Sequence, residues 1–295
     1  ISLYLPLSSQ LSFYEGSGYL LGVLKLRMYS SLIAYSLTIL SLFMGASLYA
    51  LSILFLLQSI LAIGWIFFTK KQIFKSLINN FLKWQDFISW FKRLLPMQWR
   101  IAISWMCGYI AFQIATPLTL SFFGAKEAGE IGLFLNITNM FVAFLGAWMT
   151  TKIPIFSKLV EQKAYPSLDI LFFSTIKKLF FVYLLISTFI YFFSNFYLNF
   201  AEMQFMTLLG VCVFLMIAFL TIISYAQAVY LRSFLKELFV PSSLAYALII
   251  ILLLPILLPK FMLNGILLAF LSASFVSTLM TTFIFYRFKK NLKYS

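Results

Sequence analysis

Residues able to do acid–base or nucleophilic chemistry are few here: eight carboxylates, two cysteines and no histidine in 295 residues. The lack of His excludes histidine-based proton transfer and almost every His-ligated metal site. Cys107 and Cys212 both lie inside apolar runs, which supports neither a disulfide framework nor a CxxC redox site. The acids are scattered. Asp86, Glu161, Asp169 and Glu237 fall in one set of connections, Glu127, Glu130 and Glu202 in the other, and Glu15 precedes the first long apolar run. Glu127 and Glu130 have helical i, i+3 spacing, but beside Lys126 they read as a solvated loop and not as an acid–base pair. No catalytic residue, metal ligand or cofactor is expected. What remains is uncharged: Gln113, Thr116, Asn136, Asn139, Thr150, Thr151 and Gln227 sit within apolar runs. Each needs a partner inside a bundle or a wet cavity. Two uses stay open for them: hydrogen bonds to sugar hydroxyls, or interhelical contacts worth about 1 kcal/mol each.

The elements that position these side chains follow from composition. Hydrophobic residues make up 63% of the chain and charged residues 10%, with a mean hydropathy of +0.99. A soluble domain is about 45–50% apolar and about 25% charged, so this is expected to be an all-α integral membrane protein, a polytopic helix bundle. Continuous runs without alternation disfavour a β-barrel. Segments of about 20 apolar residues cross the hydrocarbon, and eight are found, at 29–47, 48–68, 101–122, 131–151, 179–195, 204–229, 239–258 and 264–286. The first two share one run and require a tight hairpin near Gly45 to Tyr49. Residues 1–28 are mixed, apolar to Leu7 and polar around Ser8 to Gly18.

Lys and Arg orient the spans. Alternating sides from Lys25 and Arg27 puts twenty cations on one face, among them Arg100, Lys152, Lys177, Lys178, Arg232, Lys289 and Lys290. Only Lys126 and Lys260 fall on the other. That split favours eight spans with both chain ends cytoplasmic. It also accounts for the net charge of +14 by a basic face against anionic lipid, and nucleic acid is not an expected partner. Between Lys70 and Arg100, lysines are interspersed with Phe74, Leu77, Phe81, Trp84, Phe87 and Trp90, a spacing that suits a helix in the interface. Three regions result: 1–69 with two spans after the mixed segment, a connector at 70–98, and 99–295 with six spans and a basic tail. No carboxylate lies mid-span, where cation-coupled carriers commonly hold one, and the far-side loops are short for an enzyme's substrate-binding groups.

The order of certain residues carries a likeness. Trp99-Arg100-Ile101-Ala102, Trp105, Gly108-Tyr109, Gln113, Gly124, Ala128-Gly129 and Gly132 come first, then Ala147-Trp148, Thr151-Lys152 and Pro154. Tyr230-Leu231-Arg232, Lys236-Glu237 and Phe239 follow. This pattern resembles the bacterial O-antigen and polysaccharide flippases of the multidrug/oligosaccharidyl-lipid/polysaccharide exporter superfamily, over roughly 99–290 and more weakly 20–70. The resemblance implies a twelve-helix fold of two lobes around a central cavity, of which this chain holds the C-terminal two-thirds. It therefore also implies that four spans precede Ile1. The implied substrate is an undecaprenyl-diphosphate-linked oligosaccharide, moved from the cytoplasmic to the periplasmic leaflet of the bacterial inner membrane. Membrane lipids and other polysaccharide-assembly proteins are the implied partners. On that likeness Arg100, Lys152 and Arg232 are candidates for the diphosphate, and Gln113, Asn136, Asn139 and Gln227 for the glycan. Trp105, Tyr109 and Trp148 could stack on sugar rings or anchor at the interface. A cation-coupled drug exporter and a polysaccharide polymerase or ligase are the competing readings.

Overall fold

A computed structural model describes residues 4–15, 19–45, 49–69, 84–201 and 208–292. Residues 70–83 of the expected connector, with Lys70, Lys71, Lys75 and Lys83, lie outside the described residues, as do Glu202 and Lys293. Every element among the described residues is helical, and the chain divides into two compact units, 1–90 and 91–295.

The first unit holds α1 (Tyr4–Tyr14), α2 (Leu20–Phe43) and α3 (Tyr49–Thr69). Helix α2 ends where Gly45 turns to φ 84°, a left-handed conformation that glycine adopts without a Cβ penalty. The two helices of the double-length apolar run pack together as expected, and residues 46–48 of the expected turn lie outside the described residues. Gly22 of α2 lies under Trp65 of α3, where a Cβ would meet the indole at 3.4 Å. Residues 4–14 of the mixed N-terminal segment form α1, which packs on this pair, and its residues 20–28 open α2. Leu11 and Tyr14 are buried against Val23, Ala62 and Ile66, and Tyr14 meets Trp65 edge-on at 5.9 Å. Arg27 closes the corner on Glu15 at 3.0 Å.

The second unit begins within α4 (Trp84–Gln113) and continues through α5 (Ala115–Phe123), α6 (Ala125–Thr150), α7 (Ile153–Glu161), α8 (Tyr165–Ala201), α9 (Leu208–Ser233) and α10 (Val240–Leu292). Helix α4 passes through Pro96 without ending, so the connector's last residues and the following span are one helix. Helices α5 and α6 form a hairpin at Gly124, φ 103°. Thr116 packs over Gly132 at the 4.0 Å a Cβ there would have to the hydroxyl.

Helix α10, at 53 residues, would be about 80 Å long if straight, far beyond a hydrocarbon core of about 30 Å. It is broken at Met262, φ 49° and ψ −127°. A Cβ on Gly265 would lie 2.6 Å from the carbonyl carbon of Leu257, closer still to its oxygen, and 3.1 Å from the Leu258 nitrogen. In a continuous helix residues eight apart are separated by about 12 Å along the axis. The chain therefore doubles back, with arms at 240–261 and 263–292, and Gly265 is the point where the backbones touch.

Six helical stretches among the described residues are long and apolar enough to cross a membrane: Leu21–Phe43, Leu94–Phe123, Ala125–Glu161, Tyr165–Ser194, Leu208–Ser233 and the doubled Val240–Leu292. The apolar helix Ser52–Phe67 is shorter. Helix α9 is the hub of the second unit. It bonds α6 through the Thr150 and Tyr225 hydroxyls, 2.9 Å apart, and accepts the Tyr183 hydroxyl of α8 at Leu215 O, 2.9 Å. Around it, Phe134, Phe141, Phe172, Phe214, Leu254 and Phe270 form one core.

Candidate functional site

Among the concavities of the second unit, three gather side chains from several helices. The first is polar. Ser274, Ser277, Thr278 and Thr281 recur at i, i+3, i+4 and i+7 and so occupy one face of the second arm of α10. They meet Thr221 and Ser224 of α9. Ser224 Oγ lies 3.0 Å from Thr278 Oγ1 and 3.3 Å from Thr281 Oγ1, and Thr278 donates to Leu220 O at 3.1 Å. Thr221, Ser224, Ser274, Ser277 and Thr278, with Ser104, Phe112, Ser243 and Tyr246, line a cavity of about 170 Å³, in which Ser104 Oγ is buried without a partner among the described residues. Hydroxyls can each donate and accept, and the lining carries no carboxylate or basic side chain among the described residues, which makes this an uncharged hydrogen-bonding site.

The second is a groove of about 630 Å³ between α8, α9 and the second arm of α10. Its walls are Phe172, Phe180, Phe219, Ile222, Phe285 and further apolar side chains. Tyr183, Gln227, Thr282, Tyr286, Lys289 and Lys290 supply its polar atoms. Gln227, 7% exposed, donates Nε2 to Thr282 Oγ1 at 3.0 Å, while its Oε1 is buried and unpartnered among the described residues. At the basic end, Asp169 accepts the Tyr230 hydroxyl at 2.8 Å and pairs with Lys289 at 2.8 Å. The Lys289 ammonium sits 4.4 Å from the Phe173 ring centre, in cation–π range.

The third, about 450 Å³, lies between α6, α8, α9 and α10 and is apolar apart from Glu130 and Ser194. Glu130 is thus not in a solvated loop: α6 starts at Ala125, and Glu130 Oε2 is buried without a partner among the described residues.

The seven residues singled out from the sequence stand apart. Arg100 and Gln113 are exposed on α4, and Asn136 and Asn139 are exposed one turn apart on α6. Lys152 is half-buried at the break between α6 and α7. Gln227 faces the groove. Arg232 donates Nε to Glu237 Oε2 at 2.6 Å, and that carboxylate's side chain is only 1% exposed. No hydrogen bond or ion pair joins any two of the seven. Trp105, Tyr109 and Gln113 recur every fourth residue on one exposed stripe of α4. Sequence reasoning missed the hydroxyl stripe, although its i, i+3, i+4, i+7 spacing was visible. It also missed the Tyr230–Asp169–Lys289 chain, whose members are too far apart in sequence for local spacing to link them.

The helices and their interior hydroxyls define an all-α, multi-pass membrane protein. No protein-family model, curated protein or solved structure is significantly similar to the chain.

Proposed function

We propose that this chain works as part of a carrier that moves an undecaprenyl-diphosphate-linked oligosaccharide from the cytoplasmic to the periplasmic leaflet of a bacterial inner membrane. The observation that carries this reading is the ordered set of residues from Trp99 to Phe239 that resembles the polysaccharide flippases. It is supported by eight apolar segments, counting α3 and both arms of α10, whose connections place twenty of 22 cations on one face. Both chain ends then lie in the cytoplasm.

In this reading the charged part of the substrate meets basic side chains at the cytoplasmic span ends. A diphosphate is costly to bring into a bundle, and Arg or Lys offsets that cost through charge-assisted hydrogen bonds. Arg100 and Lys152 take this role. Arg232 contributes less, because buried Glu237 already balances its charge. The exposed amides of Gln113, Asn136 and Asn139 offer donors and acceptors to sugar hydroxyls, and Trp105 and Tyr109 offer ring faces. Gln227 stands in the groove, apart from these exposed amides.

Deleting the gene that carries this chain tests the proposal. Surface glycan should disappear while lipid-linked repeat units accumulate in the inner membrane. Normal surface glycan, in a strain with no second carrier, would refute it.

A further inference from the structure

We infer that the groove between α8, α9 and the second arm of α10 holds one anionic phospholipid of the leaflet on the basic face, with an acyl chain in the trough and the phosphate at Lys290. The groove's dimensions are those of one leaflet. From Phe172 to Tyr183 along α8 is eleven residues, about 16 Å at 1.5 Å per residue. Half of a hydrocarbon core of about 30 Å is about 15 Å. The aromatic and aliphatic walls suit a hydrocarbon chain and offer almost nothing to a sugar.

The charges lie at one end only. Lys289 and Lys290 line the groove, Lys289 held by Asp169 at 2.8 Å and by the Phe173 ring. Phe173 also lines a neighbouring concavity of about 530 Å³, together with Asp169, Lys177 and Lys178. Among the described residues Asp169 is the one acid lining either concavity, so the mouth is a net cationic rim facing the level where phospholipid phosphates lie.

Gln227 adds a polar handle below that rim. It bonds Thr282, seven residues and about 10 Å before Lys289 on the same arm, a depth suited to glycerol esters under a phosphate. Turned over, the amide accepts from the Thr282 hydroxyl and frees its NH2 to donate to an ester carbonyl. The unpartnered Oε1 marks this as the place where the wall lacks a hydrogen bond. A phospholipid fits better than the polyprenyl carrier, whose chain outruns a trough one leaflet deep. The site is separate from the exposed α4 and α6 residues assigned to the transported molecule.

The test is native mass spectrometry of the detergent-purified chain titrated with phosphatidylglycerol, phosphatidylcholine and undecaprenyl phosphate. Wild type should bind one phosphatidylglycerol preferentially over phosphatidylcholine. Lys290→Gln should weaken phosphatidylglycerol about fivefold, since one Lys near the surface is worth about that factor. Lys177→Gln with Lys178→Gln and Lys290→Gln should lose at least tenfold for phosphatidylglycerol and less for phosphatidylcholine, whose choline already balances its phosphate. Ile223→Trp, which fills the trough, should reduce both lipids. Helix content by circular dichroism identifies variants that have not folded, and the lysine substitutions keep the test open if Ile223→Trp fails. Equal binding of the two phospholipids, retention of neither, or displacement of phosphatidylglycerol by equimolar undecaprenyl phosphate would each overturn the assignment.

Discussion

Replacing Gly265 with alanine strikes the point where the two arms of α10 touch. The new Cβ would lie 2.6 Å from the Leu257 carbonyl carbon and 3.1 Å from the Leu258 nitrogen, where ordinary contacts are 3.4–4 Å. The obstacle is backbone and not the tip of a side chain, so no rotamer change relieves it. The arms must separate by roughly 1 Å, and overpacking of this kind costs about 1–3 kcal/mol. Gly129 supplies the control. It sits in α6, and a Cβ there meets nothing within 4 Å. Gly129→Ala should therefore gain up to about 1 kcal/mol from helix propensity. The two alanines should differ by about 1–4 kcal/mol, or roughly 2–16 °C in melting temperature for a chain of this size. Thermal unfolding in detergent, followed by the reactivity of buried Cys107, reads the difference. If Gly265→Ala melts at or above Gly129→Ala, the arms do not meet there and the doubling-back of α10 is wrong.

Arg232→Ala should cost about 2–3 kcal/mol, because it leaves the Glu237 carboxylate buried and unpaired. Adding Glu237→Gln should recover a large part of that loss, and an unchanged melting temperature in the single variant would mean the pair is not formed. Asp169→Asn should cost within about 1 kcal/mol, since Asp169 and Lys289 are each about a quarter exposed and the amide still accepts the Tyr230 hydroxyl. Asp169→Ala should lose about 1–2 kcal/mol more by orphaning that hydroxyl; identical melting of the two variants would show that the Tyr230 bond contributes nothing. For topology, Cys107 and Cys212 are first replaced by serine, and single cysteines are then introduced. Lys126→Cys and Lys260→Cys should react with an impermeant maleimide on intact cells. Lys178→Cys and Lys290→Cys should react only after permeabilisation, and the reverse pattern would invert the proposed orientation.

Much of the helical plan was readable because its signals are local. The run from Tyr29 to Thr69 is twice a span, and Gly45 lies where the chain can turn. Pro259, Lys260, Asn264 and Gly265 interrupt the last apolar stretch where α10 doubles back. The path of α4 was harder to read, because Pro96 invites a boundary after the connector and the helix continues through it. Proline in a helix removes one donor, and the break it signals is a tendency that neighbouring turns can override. The candidate sites were least legible, for a physical reason. Hydrocarbon outside a bundle is as apolar as leucine inside it, so apolar stripes do not say which helices meet. Polar contacts say it instead, and they are pairings between distant residues: Thr150 with Tyr225, Ser224 with Thr278, Gln227 with Thr282, Tyr230 with Asp169. Each includes a residue of α9, so the helix that organises the unit is the one whose neighbours its own sequence could not name. The same reasoning separates the two amide groups: Gln227 was indistinguishable in sequence from Asn136 and Asn139, and only the helix opposite, bringing Thr282 and two lysines, turns it toward a lipid-sized groove.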